Sequence, residues 1–153
     1  PRVRGEYHAR AHLPLGTIVQ MAALVIDTSA VLAVLLHEPQ RPALISATKE
    51  ATLLAPGSVP WEVGNGLIAG FRRRRLTARD VHEAWVSFER IPLRLVDVRI
   101  ARALTLAEGH GLYAYDAYVL ELARTQRVPL LTLDRRLFDA AQDLGIELLG
   151  VAK

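Results

Sequence analysis

The chain contains no cysteine. That absence removes disulfides, thiolate zinc sites and thiol nucleophiles together, and it agrees with a reducing cytoplasm as the expected compartment. Lysine is almost missing as well: among 19 basic residues only Lys49 and Lys153 are lysines. A phosphoacceptor signalling domain needs a lysine after a late strand, and none lies between those two positions. No apolar run approaches the roughly 20 residues of a membrane helix, so no membrane partner is expected. The glycine fingerprints of P-loop and dinucleotide-binding turns are lacking. An acid phosphotransferase that opens with Asp-x-Asp is excluded too, because Ser29 stands two positions after Asp27.

What is present describes one globular domain. The chain has 153 residues, 51% of them hydrophobic and 23% charged, enough for a substantial core. A net charge of +3, carried almost wholly by arginine, admits a nucleic-acid partner, since the guanidinium fork suits phosphate. An arginine-favouring genome explains that charge equally well. Residues 1–20 differ from the rest: they carry Arg2, Arg4, Arg10, His8 and His12 and lack the apolar core of a signal peptide. They read as an added or upstream tail, with Met21 as the natural start and residues 21–153 as the domain. Solvated histidines explain His8 and His12 better than a metal site does.

From Met21 the pattern alternates. Leu24–Ile26 reads as a strand, Ser29–Leu36 and Arg41–Glu50 as helices, and Thr52–Ala55 as a second strand. A helix then runs from Ser58 or Pro60 to about Arg75, with proline in its tolerant first turn, and another from Thr77 to about Glu89. Leu93–Val96 is the third strand. Asp97 is expected to cap a helix ending near Glu108, before Gly109-His110-Gly111. Ala114–Gln126 is a helix, Val128–Leu133 a strand, Asp134 to about Leu144 a helix, and Ile146–Leu149 a last short strand. Near-continuously apolar strands separated by crossover-length helices predict an α/β sandwich with a parallel central sheet of about five strands.

Four acids fall where such a sheet places its sites. Asp27 ends the first strand and Asp134 the fourth, while Glu62 and Asp116 lie near the starts of helices. Strand C-termini and the following helix starts share one edge. Each acid alone has an ordinary explanation as an N-cap or a helix-start residue. Together they would repel one another, and a divalent cation removes that conflict. Oxygen donors without thiolate or a suitable histidine pair select a hard ion such as Mg²⁺ or Mn²⁺.

The segments Val25-Ile26-Asp27-Thr28-Ser29-Ala30, Glu62-Val63-Gly64-Asn65, Tyr115-Asp116-Ala117-Tyr118 and Leu131-Thr132-Leu133-Asp134 resemble, in order and spacing, PIN-domain ribonucleases of the VapC toxin type. One departure is Gly66, where a small alanine is expected. The resemblance implies a PIN-like three-layer sandwich and a Mg²⁺-dependent endoribonuclease, with Mn²⁺ as a substitute, leaving a 5′-phosphate and a 3′-hydroxyl. It implies Asp27, Glu62, Asp116 and Asp134 as the acidic set, with Asp27, Asp116 and Asp134 holding metal and Thr28, Asn65 and Thr132 as polar support. Glu62 would ligate or orient the attacking water. It further implies a homodimer and a cognate VapB-like antitoxin whose C-terminal segment covers the acidic groove. Within Arg72-Arg73-Arg74-Arg75, Arg72 and Arg73 are the candidates for RNA contact, although a solvated helix end explains most of the run. Tyr113, Tyr115 and Tyr118 are candidates for base stacking or packing, and Trp61 and Trp85 read as packing residues. The competing function is a non-catalytic RNA-binding or regulatory protein on the same fold.

Overall fold

A computed structural model describes residues 22–150. The expectations for the 1–20 tail and for Met21 lie outside the described residues. Four strands, β1 (Ala23–Ile26), β2 (Thr52–Pro56), β3 (Leu93–Val96) and β4 (Leu130–Leu131), form a parallel sheet in the order β3-β2-β1-β4. Seven helices accompany them among the described residues: α1 (Thr28–Leu35), α2 (Arg41–Thr48), α3 (Val59–Arg72), α4 (Ala78–Phe88), α5 (Ile100–His110), α6 (Ala114–Gln126) and α7 (Arg135–Asp143).

The alternation of side chains along β1 sorts the helices into two layers. Leu24 and Ile26 point to one face and pack with Val31 of α1, Leu44 of α2, Val63 and Leu67 of α3 and Phe88 of α4. Val25, between them, points to the other face and packs with Ala103 of α5, Leu120 of α6 and Leu137 of α7. Both faces of the sheet are covered, which is why its strands read as apolar without polar alternation.

The strand order creates a crevice. From β1 the chain moves outward to β2 and β3, then returns to place β4 on the opposite side of β1. The helix that follows β1 lies on one face, and the helix that follows β4 lies on the other. The C-terminal ends of β1 and β4 therefore form a topological switch point, where open α/β sheets bind their ligands.

Several sequence expectations change in detail. The fifth strand reduces to a single parallel bridge between Leu130 and Leu148. Its partner, β4, has only two residues to offer, because the chain turns away as the Thr132 side chain bonds Asp27. Asp97 does not cap α5; Arg99 occupies that position without a side-chain bond. Trp61 is not a packing residue, being 72% exposed, because it faces outward from the first turn of α3. The Thr77–Asp80 capping box does form, with bonds in both directions. Gly66 has a packing reason: a Cβ there would meet Leu32 Cδ1 at 2.6 Å, so the missing methyl lets α1 and α3 approach closely.

Candidate active site

At the end of β1 the backbone leaves the sheet through Asp27, which adopts an extended conformation and caps α1. Its carboxylate accepts from the Ser29 backbone N–H at 3.1 Å and from the Thr132 hydroxyl at 3.0 Å, and the Ser29 hydroxyl also donates to it. Asp27 is only 6% exposed, so these donors replace water around a buried carboxyl group. The same hydroxyls tie β1 to β4. Ser29 Oγ accepts from the Leu133 N–H at 2.9 Å, and Thr132 Oγ1 accepts from the Asp134 N–H at 3.0 Å. Asp134 in turn caps α7, accepting from the Leu137 N–H at 3.0 Å, with the rest of its side chain open to solvent.

Glu62 enters from the first turn of α3. Ser58, one turn earlier, donates to one carboxylate oxygen at 2.6 Å, and Thr28 donates to the other at 3.2 Å. Burial pushes the Glu62 pKa up, and the Asp27 charge adds to that push, while the two hydroxyls oppose it. Asp116 lies in the first turn of α6 without a capping role, since Tyr113 occupies the N-cap. Its pKa is also raised, first by burial and then by the charges of Asp134, Asp27 and Glu62; Arg136 alone among the named neighbours pulls it back. Asp116 thus feels all three of the other acids, so four side chains from distant parts of the sequence share one edge of the sheet.

The cluster is open. Among the described residues, no three acid or histidine side chains already stand as a closed ion-holding group. Asn65 makes no hydrogen bond to any of the four acids; it is exposed and lines a surface groove with Ile68, Ala69, Arg72 and Arg73. Ser29, Ser58 and Arg136 are site residues that sequence reasoning did not single out. Ser58 carries the clearest missed signal, a hydroxyl one helical turn before an expected site carboxylate. Asp139 is held by Arg135 at the surface and takes no part.

The PIN-domain family model matches residues 24–143 of this chain. This chain belongs to the PIN-domain family. Within that family it is 34% identical to Ribonuclease VapC9 of Mycobacterium tuberculosis over 119 residues, covering 78% of this chain and 91% of the relative. A VapC ribonuclease of Mycobacterium bovis matches to the same extent. Among solved structures, PAE2754 from Pyrobaculum aerophilum superposes with a TM-score of 0.57 at 22% identity, covering 78% of this chain and 86% of its own. VapC20 of M. tuberculosis, a toxin that cleaves the sarcin–ricin loop, gives 0.57 at 16% identity, covering 76% and 94%. VapBC2 from Rickettsia felis, bound to a promoter DNA fragment, gives 0.58 at 13% identity, covering 85% and 99%. At these identities the structural likenesses speak for the PIN fold. The family match and the 34% relatives place the chain among the VapC-type PIN domains.

Proposed function

We propose that this PIN domain is the toxin ribonuclease of a toxin–antitoxin pair, hydrolysing RNA phosphodiesters at the edge where Asp27, Glu62, Asp116 and Asp134 meet. The observation that carries the reading is the electrostatic state of Asp116. Burial raises its pKa first, three other acids add to that push, and one arginine opposes it. A fold keeps such repulsion where a ligand cancels it.

The donor set suits a hard divalent cation: carboxylate and hydroxyl oxygens only, with no thiolate anywhere in the chain. Asp27, Asp116 and Asp134 would hold Mg²⁺, or Mn²⁺ in its place. Such an ion would supply Lewis-acid activation of a water and positive charge beside the phosphate. The chain does the rest. Thr132 and Ser29 fix the Asp27 carboxylate, and Ser58 and Thr28 fix both oxygens of Glu62 so that it can orient a water. The raised pKa suits Glu62 to accept a proton from that water.

A VapB-like antitoxin and a second copy of the chain are the proposed protein partners. Supporting that, large apolar side chains stand exposed on two helices, Trp61, Ile68 and Phe71 on α3 and Ile100 and Leu104 on α5, where a protein partner could cover them. The test of the reaction is incubation of purified protein with total cellular RNA and Mg²⁺, followed by mapping of new 5′ ends. New 5′-phosphate ends at recurrent sites, lost in Asp116→Asn, are the expected result. No new ends would overturn the nuclease reading and leave a non-catalytic RNA-binding role; equal cleavage by the variant would remove Asp116 from the site.

A further inference from the structure

Arginine pairs with carboxylate wherever the described residues form an ion pair: Arg79 with Glu83, Arg124 with Glu121 and Arg135 with Asp139. Arg136 is held differently. Its Nη2 donates to the Gly111 carbonyl at 3.0 Å, and its guanidinium carbon sits 5.5 Å from the centre of the Tyr113 ring. Both partners are neutral. They fix the guanidinium in place and leave it without a direct ion-pair partner among the described residues. Gly111 turns with φ +61, a left-handed conformation that glycine adopts without a Cβ penalty, and this ends α5 where its carbonyl meets the arginine.

The location adds to the argument. Arg136 lies in the first turn of α7, two residues past Asp134, where a cation works against the helix macrodipole. Its field nevertheless reaches Asp116, which lies beyond ion-pair distance. The side chain is exposed, and one of its five donors is engaged by the Gly111 carbonyl. An RNA strand approaching four carboxylates is repelled by them, and a preorganised cation at their mouth offsets that repulsion for one phosphate.

We infer that Arg136, anchored on the Gly111 carbonyl and the Tyr113 ring, is a substrate-binding residue that takes a backbone phosphate of the RNA next to the scissile bond. This rests on the ribonuclease reading for its substrate, but its geometry is independent of the four acids. Lysine keeps the charge and loses the fork, whereas glutamine loses the charge.

The experiment measures binding of a short single-stranded RNA in the presence of a chelator, so that nothing is cleaved, over a series of salt concentrations. The unaltered protein, Arg136→Lys and Arg136→Gln are compared, each with its melting temperature. The expected result is the same salt slope for the protein and Arg136→Lys, and a slope smaller by about 0.7 for Arg136→Gln, the loss of one phosphate contact on a single strand. In the Mg²⁺ cleavage assay, Arg136→Gln should raise KM about tenfold, the loss of one charge-assisted contact. An unchanged slope in Arg136→Gln overturns the inference. So does an equal loss of binding and melting temperature in both variants, which would make Arg136 a clamp for the α5–α6 loop. If the unaltered protein cleaves no RNA, the ribonuclease reading fails, while the slopes still decide the arginine.

Discussion

Helix α6 carries two acids, Asp116 in its first turn and Glu121 further along, and the fold surrounds them in opposite ways. Glu121 is the more deeply buried, at 1% exposure, yet Arg124 donates to it at 2.7 Å and Thr125 at 3.1 Å. Asp116 is half-buried and has three acids for company. A buried charge that only supports architecture must be paired and hydrogen-bonded, because the interior offers it no water. One left unpaired beside like charges is waiting for something the chain does not supply. On the proposed reading, burial alone does not mark the functional acid on this helix; the lack of a direct ion-pair or hydrogen-bond partner beside like charges does.

The sharpest way to break that contrast is to neutralise each acid without changing its shape. Asp116→Asn should lower RNA cleavage about a thousandfold, the scale of several kcal/mol of lost charge stabilisation in the transition state. It should leave the melting temperature unchanged or higher, since repulsion with Asp134, Asp27 and Glu62 is relieved. Glu121→Gln should do the reverse, keeping cleavage and lowering the melting temperature. Rates and melting curves on the two purified variants decide it, and full activity in Asp116→Asn contradicts the assignment.

Binding of the cation sharpens the same comparison without a substrate. Mg²⁺ at a hundredfold excess over its Kd should stabilise the protein by about 2.7 kcal/mol. That gain should vanish in Asp116→Asn and Asp27→Asn and persist in Glu121→Gln. Asparagine still caps α1 at position 27, so a lost response there reports the ion and not the helix. Equal thermal shifts in all four proteins would mean that any bound ion sits elsewhere. A smaller effect is expected from Arg124→Ala, which strands the Glu121 charge. Because Arg124 is itself 45% exposed, the cost should be about 2 kcal/mol in urea melts, below the range for a wholly buried pair, with RNA cleavage intact.

The layered fold and the edge where Asp27, Glu62, Asp116 and Asp134 gather were legible because both follow from periodicity and from acids placed at element boundaries. Ala114–Gln126 has the same bounds in the sequence reading and in the structure. The missed features depend on the third dimension. Arg136 reaches back to Gly111, and no local pattern announces that the two meet. Asp97 looked like a cap, but Val98 and Arg99 still separate it from the start of α5, and the acid instead lines a groove of about 460 Å³ with Trp61, Tyr115 and Tyr118. Trp61 looked like core because tryptophan is large and apolar; its exposure follows from the phase of α3, where Val59 and Val63 take the inward positions. Asn65 shares the Glu62 motif but faces the groove with Arg72 and Arg73, so motif membership did not bring contact with the acids.

The gentlest probe is pH. Asp116 and Glu62 both have pKa values raised above their ordinary 3.8 and 4.5, each first by burial. The native state therefore binds protons more tightly than the unfolded chain at these groups. Their contribution to stability is fully present below the ordinary values and is lost as pH rises through the raised ones. In a chelator, Asp116→Asn and Glu62→Gln should thus gain stability over the unaltered protein as pH rises through that window, and the gain should disappear in more acid solution. With Mg²⁺ present the sign should invert for the unaltered protein, because the ion competes with protons for the same oxygens and binds better as they ionise. Denaturant melts along a pH series, with and without Mg²⁺, read both slopes. If the chelated protein matched its two variants at every pH, the strain at Asp116 and Glu62 would be absent, and the contrast between the two acids of α6 would be gone.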